Sequence, residues 1–359
     1  MKERIVYADY IRVIACFLVM LIHACELFYT GGIANESNRL WVSIYDGMSR
    51  IAVPLFIIIS SILLVPMPED MEMGAFYKRR FTKILPPLLF FLVLYAILPA
   101  VWGETSWERA WTAFKSIPWN FPMNAGHLWF MYPLISLYLI IPVVSPWLRK
   151  ASAKDERLFL AVFFISTFMP FIHRFISKEV WGECFWNGFH ALWYCSGYLG
   201  YLVLAHYIRF HLKWDDRKKR TIGWIAFLAG GIFTAWSFYY KGVPGVRIPL
   251  PMLEWAWEFC TPNVVIATFG AFLLLSGIKK PQTPRLIREL SGLSFGMYLM
   301  HIFLLNVWGK WLMGPGGHAD PTVPVFLAIP LIAIGTFVTT ALISKLISLL
   351  PGSKWVIGI

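Results

Sequence analysis

Apolar segments, most of them about 20 residues long, alternate with short polar segments along almost the whole chain. A helix of about 20 residues crosses the hydrocarbon core of a bilayer. The polar stretches are too short for a separate soluble domain. The pattern therefore predicts an all-α polytopic membrane protein, in which residues 1–359 form a single transmembrane domain. The ten predicted spans are 10–30, 44–65, 83–102, 128–148, 157–173, 186–206, 221–240, 259–278, 290–309 and 323–348.

The composition favours lipid as the solvent of this chain. Its 359 residues are 58% hydrophobic and only 14% charged, whereas charged residues make up about 25% of a soluble domain. The net charge of +12 is accounted for by basic loops, without nucleic acid as a partner. With the N-terminus inside the cell, 22 of the 32 Lys and Arg residues fall in cytoplasmic segments and eight on the other side. This asymmetry predicts that both termini are cytoplasmic.

The first apolar segment carries ionisable residues, which are costly inside a bilayer. Arg12 and His23 return to within about 20° of one helix face, roughly 16 Å apart along the axis. Asp9 and Glu26 each lie three residues from one of them, within reach of an ion pair. One interpretation is a polar stripe with a cation at the cytoplasmic mouth and a titratable base in the interior. The other is that Arg12 snorkels to lipid phosphates and His23 bonds a neighbouring helix.

Five segments, in order along the chain, resemble the acyltransferase-3 family of integral-membrane acyltransferases. The first has the family's Arg and His with ten residues between them, here Arg12 and His23. The second departs from the family at Ser61, where a Gly is usual. The residues between about 150 and 280 match by hydropathy alone. The five segments are YADYIRVIACFLVMLIHA (7–24), SRIAVPLFIIISSILL (49–64), FYKRRFTKILPPL (76–88), HLWFMYPLISLYLIIP (127–142) and LSFGMYLMHIFLL (293–305).

The resemblance implies a stand-alone O-acetyltransferase in the inner membrane of a bacterial cell. Such enzymes move an acyl group, usually acetyl, from cytoplasmic acyl-CoA to a hydroxyl of a surface polysaccharide or lipid-linked sugar. Cations at the cytoplasmic boundary would hold the phosphates of acetyl-CoA. Here these cations are Arg12, Arg80 and Lys83, and Lys83 replaces the second Arg of an Arg-x-x-Arg motif. Counting this motif from Arg79 is the alternative.

The catalytic candidates follow from the chemistry of acyl transfer. A sugar hydroxyl is a weak nucleophile unless a base accepts its proton, and an imidazole is the usual base near neutral pH. His23 is the candidate base, and Glu26 would fix its tautomer and stabilise the imidazolium. An acyl-histidine intermediate is a variant of the same assignment.

Four further residues are candidates for the acceptor site. His301 lies at a depth close to that of His23, and Tyr298 precedes it by three residues on the same face. These two either line the acceptor site and polarise the thioester carbonyl or make structural bonds between helices. His127 opens the fourth predicted helix at the outer boundary, beside Trp129, where both are placed to contact a sugar.

The other histidines and the cysteines predict no metal site, because none has the spacing of a metal motif. Interfacial roles are expected for His173, His190 and His318, and structural roles for His206 and His211. Cys184 and Cys260 fall on the same predicted side of the membrane, either as two unrelated thiols or as a disulfide.

Two other classes of function compete with an enzyme. Ten spans with charges inside also suit a transporter or flippase of an envelope glycan precursor, although no paired broken helices are visible. A non-catalytic assembly subunit is the second alternative. Consumption of acetyl-CoA discriminates against the transporter, and loss of activity on replacing His23 discriminates against the subunit.

Overall fold

The computed structural model describes residues 4–177, 179–184 and 191–359, which form helices and loops and no β-strand. The prediction of an all-α fold is confirmed. Two 3₁₀ segments, Met123–Phe130 and Trp193–Cys195, interrupt the α-helices. The α-helices are α1 (Val6–Glu26), α2 (Glu36–Ser49), α3 (Ala52–Leu64), α4 (Met73–Val101), α5 (Trp107–Ser116), α6 (Met131–Lys150), α7 (Ala153–Ser166), α8 (Met169–Phe175), α9 (Tyr198–Phe210), α10 (Asp216–Lys241), α11 (Leu250–Leu253), α12 (Pro262–Ser276), α13 (Arg285–Met313), α14 (Val325–Ser348) and α15 (Ser353–Val356).

Eight helical segments of the described chain are long and apolar enough to cross a membrane. The polytopic architecture is thus confirmed, while the count of ten spans and the side of the termini stay predictions. The predicted spans 186–206 and 259–278 correspond to the shorter helices α9 and α12, and the first of these windows begins among residues that are not described. The eight segments are Val6–Glu26, Glu36–Leu64, Met73–Val101, Met123–Lys150, Ala153–Phe175, Asp216–Lys241, Arg285–Met313 and Val325–Ser348.

Helix α1 lies inside the bundle, where it packs against α2, α3, α13 and α14. Small side chains on its buried face, such as Ala8, Ala15 and Ala24, let neighbouring backbones approach closely. Because these helices surround α1, its ionisable side chains meet protein groups in place of hydrocarbon. This is the usual environment of ionisable residues in membrane helices.

Helices α10 and α12 approach each other through glycines. A Cβ atom added at Gly270 would lie 2.3 Å from the backbone nitrogen of Phe227, and one added at Gly230 would lie 2.3 Å from the carbonyl oxygen of Asn263. No real side chain tolerates such distances, so glycine is required at both positions. The contact resembles other small-residue interfaces between membrane helices.

The fourth predicted helix begins earlier than its hydropathy indicates. The chain enters as the 3₁₀ segment Met123–Phe130, with Ala125 outside helical geometry at φ −104° and ψ 22°, and continues as α6. This irregular start carries His127 into the protein, and its side chain is buried. His127 is thus buried about one turn inside the segment that begins at Met123, whereas the sequence predicted that it opens the helix at the outer boundary.

The C-terminal segment folds back onto the bundle. Ile357 is buried beside Gly296 of α13, and Gly358 lies against the carbonyl oxygen of Lys83 on α4. Pro87 has no N–H with which to bond that carbonyl, so the groove beside it is open to another part of the chain.

Candidate functional site

The polar residues of α1 pair locally at both of its ends. His23 Nδ1 lies 2.7 Å from Glu26 Oε2, as the three-residue spacing predicted. A neutral imidazole donates its Nδ1–H to the carboxylate, which leaves the Nε2 lone pair available as a base. At the other end, Asp9 pairs with Arg4 at 2.6 Å and lies 4.0 Å from Arg12.

Three histidines from three separate elements meet beside Glu26. The ring centroid of His301 lies 5.0 Å from that of His23 and 4.9 Å from that of His127. The rings of His23 and His127 are 6.3 Å apart. We call His23, His127 and His301 the histidine cluster. His127 and His301 are buried and His23 is partly buried, so the cluster holds most of its imidazole surface away from solvent.

Backbone bonds fix the tautomers of the two buried histidines. His301 Nδ1 lies 2.6 Å from the carbonyl oxygen of Tyr298, to which it donates. Its Nε2 is buried and has no hydrogen-bond partner among the described residues. His127 Nε2 lies 3.4 Å from the carbonyl oxygen of Leu299. A buried acceptor without a partner costs about 1–3 kcal/mol, so His301 Nε2 is available to a hydrogen-bond donor.

Two tyrosines fasten this region together. The Tyr298 hydroxyl donates to the carbonyl oxygen of His127 at 2.6 Å, and the Tyr95 hydroxyl donates to that of Leu299 at 3.1 Å. The ring of Tyr95 also lies 4.8 Å from the ring of His127. Since the Tyr298 hydroxyl is already bonded to a carbonyl, its observed role is to hold the 3₁₀ segment against α13.

All three predicted phosphate-binding cations line one cavity of about 280 Å³, which we call the basic cavity. Arg12 donates to Ser291 Oγ at 2.9 Å, whereas Arg80 Nε has no hydrogen-bond partner in the described structure. Lys83 also lines this cavity, but Arg79 is exposed and does not. The cavity lining favours counting the motif from Arg80 to Lys83 over counting it from Arg79.

A second and larger cavity, of about 1540 Å³, opens near the other ends of the same helices. We call it the wide cavity. Its lining mixes aromatic, amide and charged side chains, including Trp102, Asn124, Arg109 and Asn306. Glu104 and Lys310 also line it and pair with each other at 3.3 Å.

Helix α13 passes from one cavity to the other. Its residues up to Tyr298 line the basic cavity, and those from Ile302 onwards line the wide cavity. His301 lies between these two stretches. The same helix thus brings one histidine to the boundary between the two cavities.

The 3₁₀ segment and α6 repeat this arrangement in the opposite chain direction. Residues up to Asn124 line the wide cavity, and residues from Phe130 onwards line the basic cavity. His127 again falls between them. His127 and His301 therefore lie between the two cavities, with His23 beside them. The sequence predicted similar depths for His23 and His301 and placed His127 at the outer boundary.

Comparison with known proteins identifies the family. The model of the family described as "Acyltransferase domain" matches residues 5–345. The chain belongs to the acyltransferase-3 family. It is also 23% identical over 329 residues to YfiQ of Bacillus subtilis (strain 168), described as a candidate membrane-bound acyltransferase, which covers 89% of this chain and 86% of that protein. No solved structure matches the chain significantly. The protein is thus a multi-pass membrane acyltransferase.

This acyltransferase has a buried ion pair near its histidine cluster. The sequence analysis did not predict this pair. Arg50 Nε lies 2.7 Å from Asp46 Oδ1, and the guanidinium stacks 4.2 Å from the centroid of Trp257. Arg50 also lies 3.5 Å from the Tyr29 hydroxyl, which donates to Glu254 at 2.7 Å. The sequence feature that could have predicted this pair is the spacing of Asp46 and Arg50, two opposite charges four residues apart in an apolar segment.

Burial raises the pKa of the Tyr29 phenol well above its usual value, so Tyr29 stays protonated and donates to Glu254. This bond anchors the loop after α1 to the loop before α12. Tyr29 follows the end of α1, which carries His23 of the histidine cluster.

Two residues that the sequence singled out are not part of the histidine cluster. Trp129 is half-buried, stacks on Phe259 with centroids 5.5 Å apart, and lines neither cavity. His190 lies outside the described residues.

Proposed function

We propose that this acyltransferase moves an acetyl group from cytoplasmic acetyl-CoA to a hydroxyl of a cell-surface polysaccharide or lipid-linked sugar. The observation that carries the proposal is the order of the three features along the helices. A basic cavity, the histidine cluster and a wide cavity follow one another on α13 and on the 3₁₀ segment with α6. A donor entering from one side and an acceptor from the other would meet at the histidines.

The basic cavity has the chemistry of a donor site. Arg12, Arg80 and Lys83 present cations at its wall, and such groups bind phosphates through charge-assisted bonds. The predicted orientation puts this cavity on the cytoplasmic side, where coenzyme A is found. Ser60 and Tyr138 add polar atoms to an otherwise apolar lining, which suits a chain of amides and methylenes such as the pantetheine arm.

The wide cavity has the chemistry of an acceptor site. Aromatic faces beside amides and charged groups are what a sugar ring with several hydroxyls requires, because each hydroxyl both donates and accepts. The volume of about 1540 Å³ exceeds the usual 300–1,000 Å³ of small-molecule pockets, so there is room for more than one sugar unit.

His23 acts as the general base in this proposal. Its Nε2 accepts the proton of the sugar hydroxyl while the sugar oxygen forms a bond to the thioester carbonyl carbon. The carbon–sulfur bond then breaks, and the imidazolium returns the proton to the sulfur of coenzyme A. Glu26 holds Nδ1–H and stabilises the imidazolium between the two steps. His301 Nε2 supplies a second acceptor, to which a neighbouring hydroxyl of the sugar donates.

The test uses purified protein and acetyl-CoA labelled in its acetyl group, with surface glycans from cells that lack the gene as acceptors. Transfer of label to the glycan, absent with the His23→Ala protein, is the expected result. Glycans from cells with and without the gene should differ by acetyl groups in mass spectrometry. Identical glycans and unconsumed acetyl-CoA would overturn the proposal and favour a transporter of the glycan precursor.

A further inference from the structure

A second group of side chains that can coordinate a metal ion lies away from both cavities. Glu156 is in the first turn of α7, His206 lies four residues before the end of α9, and His211 caps α9. Glu156 Oε1 lies 2.8 Å from His206 Nδ1 and 3.1 Å from His211 Nε2. None of the three residues lines the basic or the wide cavity.

The carboxylate of this group lacks the partners that a buried charge needs. Glu156 is 0% exposed, and within the described chain its ion-pair partners are the two imidazoles alone. Both imidazoles contact Oε1, while Oε2 is buried and has no hydrogen-bond partner. A buried carboxylate is expensive unless a cation and further bonds compensate it.

The nearby arginines do not provide that cation. Arg157 donates to the carbonyl oxygen of Ala153, and Arg209 donates to that of Ile62 on α3. The two basic side chains closest in sequence to Glu156 and His206 are thus directed to backbone oxygens. What faces the carboxylate is a pair of nitrogen ligands.

We infer that Glu156, His206 and His211 form a site for a divalent transition-metal ion, with Zn²⁺ as the best match. Two imidazoles and one carboxylate are an established zinc donor set, with bonds of about 2.0–2.2 Å. The three ligand atoms all lie within 4.8 Å of one another. Tetrahedral coordination separates ligand atoms by about 3.4 Å, so the two imidazole nitrogens would move away from Glu156 Oε1 by roughly 0.3–0.6 Å when the ion enters.

The protonation of the ligands is compatible with this ion. An imidazole that binds the metal through the nitrogen facing Glu156 carries its proton on the other ring nitrogen. His211 is partly exposed, so the fourth coordination position is open to water.

The metal ion would act as a structural clamp between α7 and α9. Both helices belong to the part of the chain in which no family motif was recognised, and α9 also packs against α3. By the predicted orientation the site faces the cytoplasm. The sequence alone gave no metal spacing because Glu156 and the two histidines are about fifty residues apart.

The experiment measures zinc binding by the tag-free, full-length protein in detergent after treatment with a chelator. Isothermal titration and elemental analysis should give one Zn²⁺ per chain, together with a higher midpoint of thermal unfolding. His211→Ala, at the partly exposed position, and Glu156→Gln should each weaken Zn²⁺ binding at least tenfold. Co²⁺ should give the visible spectrum of a four-coordinate site in the wild type and lose it in His211→Ala.

Glu183→Gln is the matched control, because among the described residues Glu183 pairs with a single histidine, His173, at 2.7 Å, so the variant should leave zinc binding unchanged. Absence of saturable Zn²⁺ uptake by the wild type would overturn the inference and leave a hydrogen-bonded carboxylate. Equal uptake by wild type and His211→Ala would overturn it too. The outcome is independent of acetyl transfer, since no readout uses the acyl donor.

Discussion

At the scale of single residues, the chemistry depends on which imidazole nitrogen is free. Glu26 binds His23 at Nδ1, and the carbonyl of Tyr298 binds His301 at Nδ1. Both histidines therefore present Nε2 as an acceptor in their neutral forms. Two acceptors with ring centroids 5.0 Å apart suit two neighbouring hydroxyls of one sugar, of which one is held and the other is deprotonated.

His23→Ala should lower the turnover number by about 10²–10⁴-fold, which is the usual contribution of a general base. The KM for acetyl-CoA should change little, because His23 does not line the basic cavity. Glu26→Gln should lower turnover by a smaller factor, since the amide can donate to Nδ1 and favour the wrong tautomer. Steady-state kinetics with labelled acetyl-CoA provides both constants.

His318→Ala is the control for these two variants, because His318 is outside the cluster and should be replaceable without loss of turnover. A His23→Ala protein that elutes normally in size exclusion and retains wild-type turnover would rule out His23 as the base.

At the scale of helices, the basic cavity is assembled by one cation from α1 and two from α4. Arg80 and Lys83 are three residues apart, so one helix face carries both. Arg12 is held by Ser291 of α13, whereas Arg80 Nε is free of partners in the described structure. A buried guanidinium Nε–H without a hydrogen-bond partner is available to donate to a phosphate.

Replacing Arg12, Arg80 or Lys83 by Gln should each weaken acetyl-CoA binding by about ten- to a hundred-fold, since a charge-assisted hydrogen bond contributes about 1.5–3 kcal/mol. Titration calorimetry in detergent measures the affinity. Arg79→Gln is the matched control, because Arg79 adjoins Arg80 but is exposed and does not line the cavity. Equal affinities for all four variants and the wild type would place the phosphates elsewhere.

At the scale of the whole molecule, the sequence predicted what a single helix determines and missed what packing between helices determines. The positions of Arg12, His23 and Glu26 follow from the geometry of α1 alone. The burial of His127 depends on an irregular 3₁₀ start, and hydropathy does not report such a start. The contacts of Glu156 with His206 and His211 depend on how α7 packs on α9. No local pattern encodes these distances.

The proposed function also requires one orientation of the whole molecule, with the basic cavity facing the cytoplasm. Helix α10 offers a direct test, because its 26 residues extend for about 39 Å and exceed the roughly 30 Å hydrocarbon core. Arg217 at its start and Val246 just after its end are both exposed. In a protein with all five cysteines replaced, Val246→Cys should react with a membrane-impermeant maleimide in intact spheroplasts, and Arg217→Cys only after lysis. The reverse pattern would turn the basic cavity away from cytoplasmic acetyl-CoA and contradict its role as the donor site. Reaction of both variants before lysis would mean that α10 does not span the membrane.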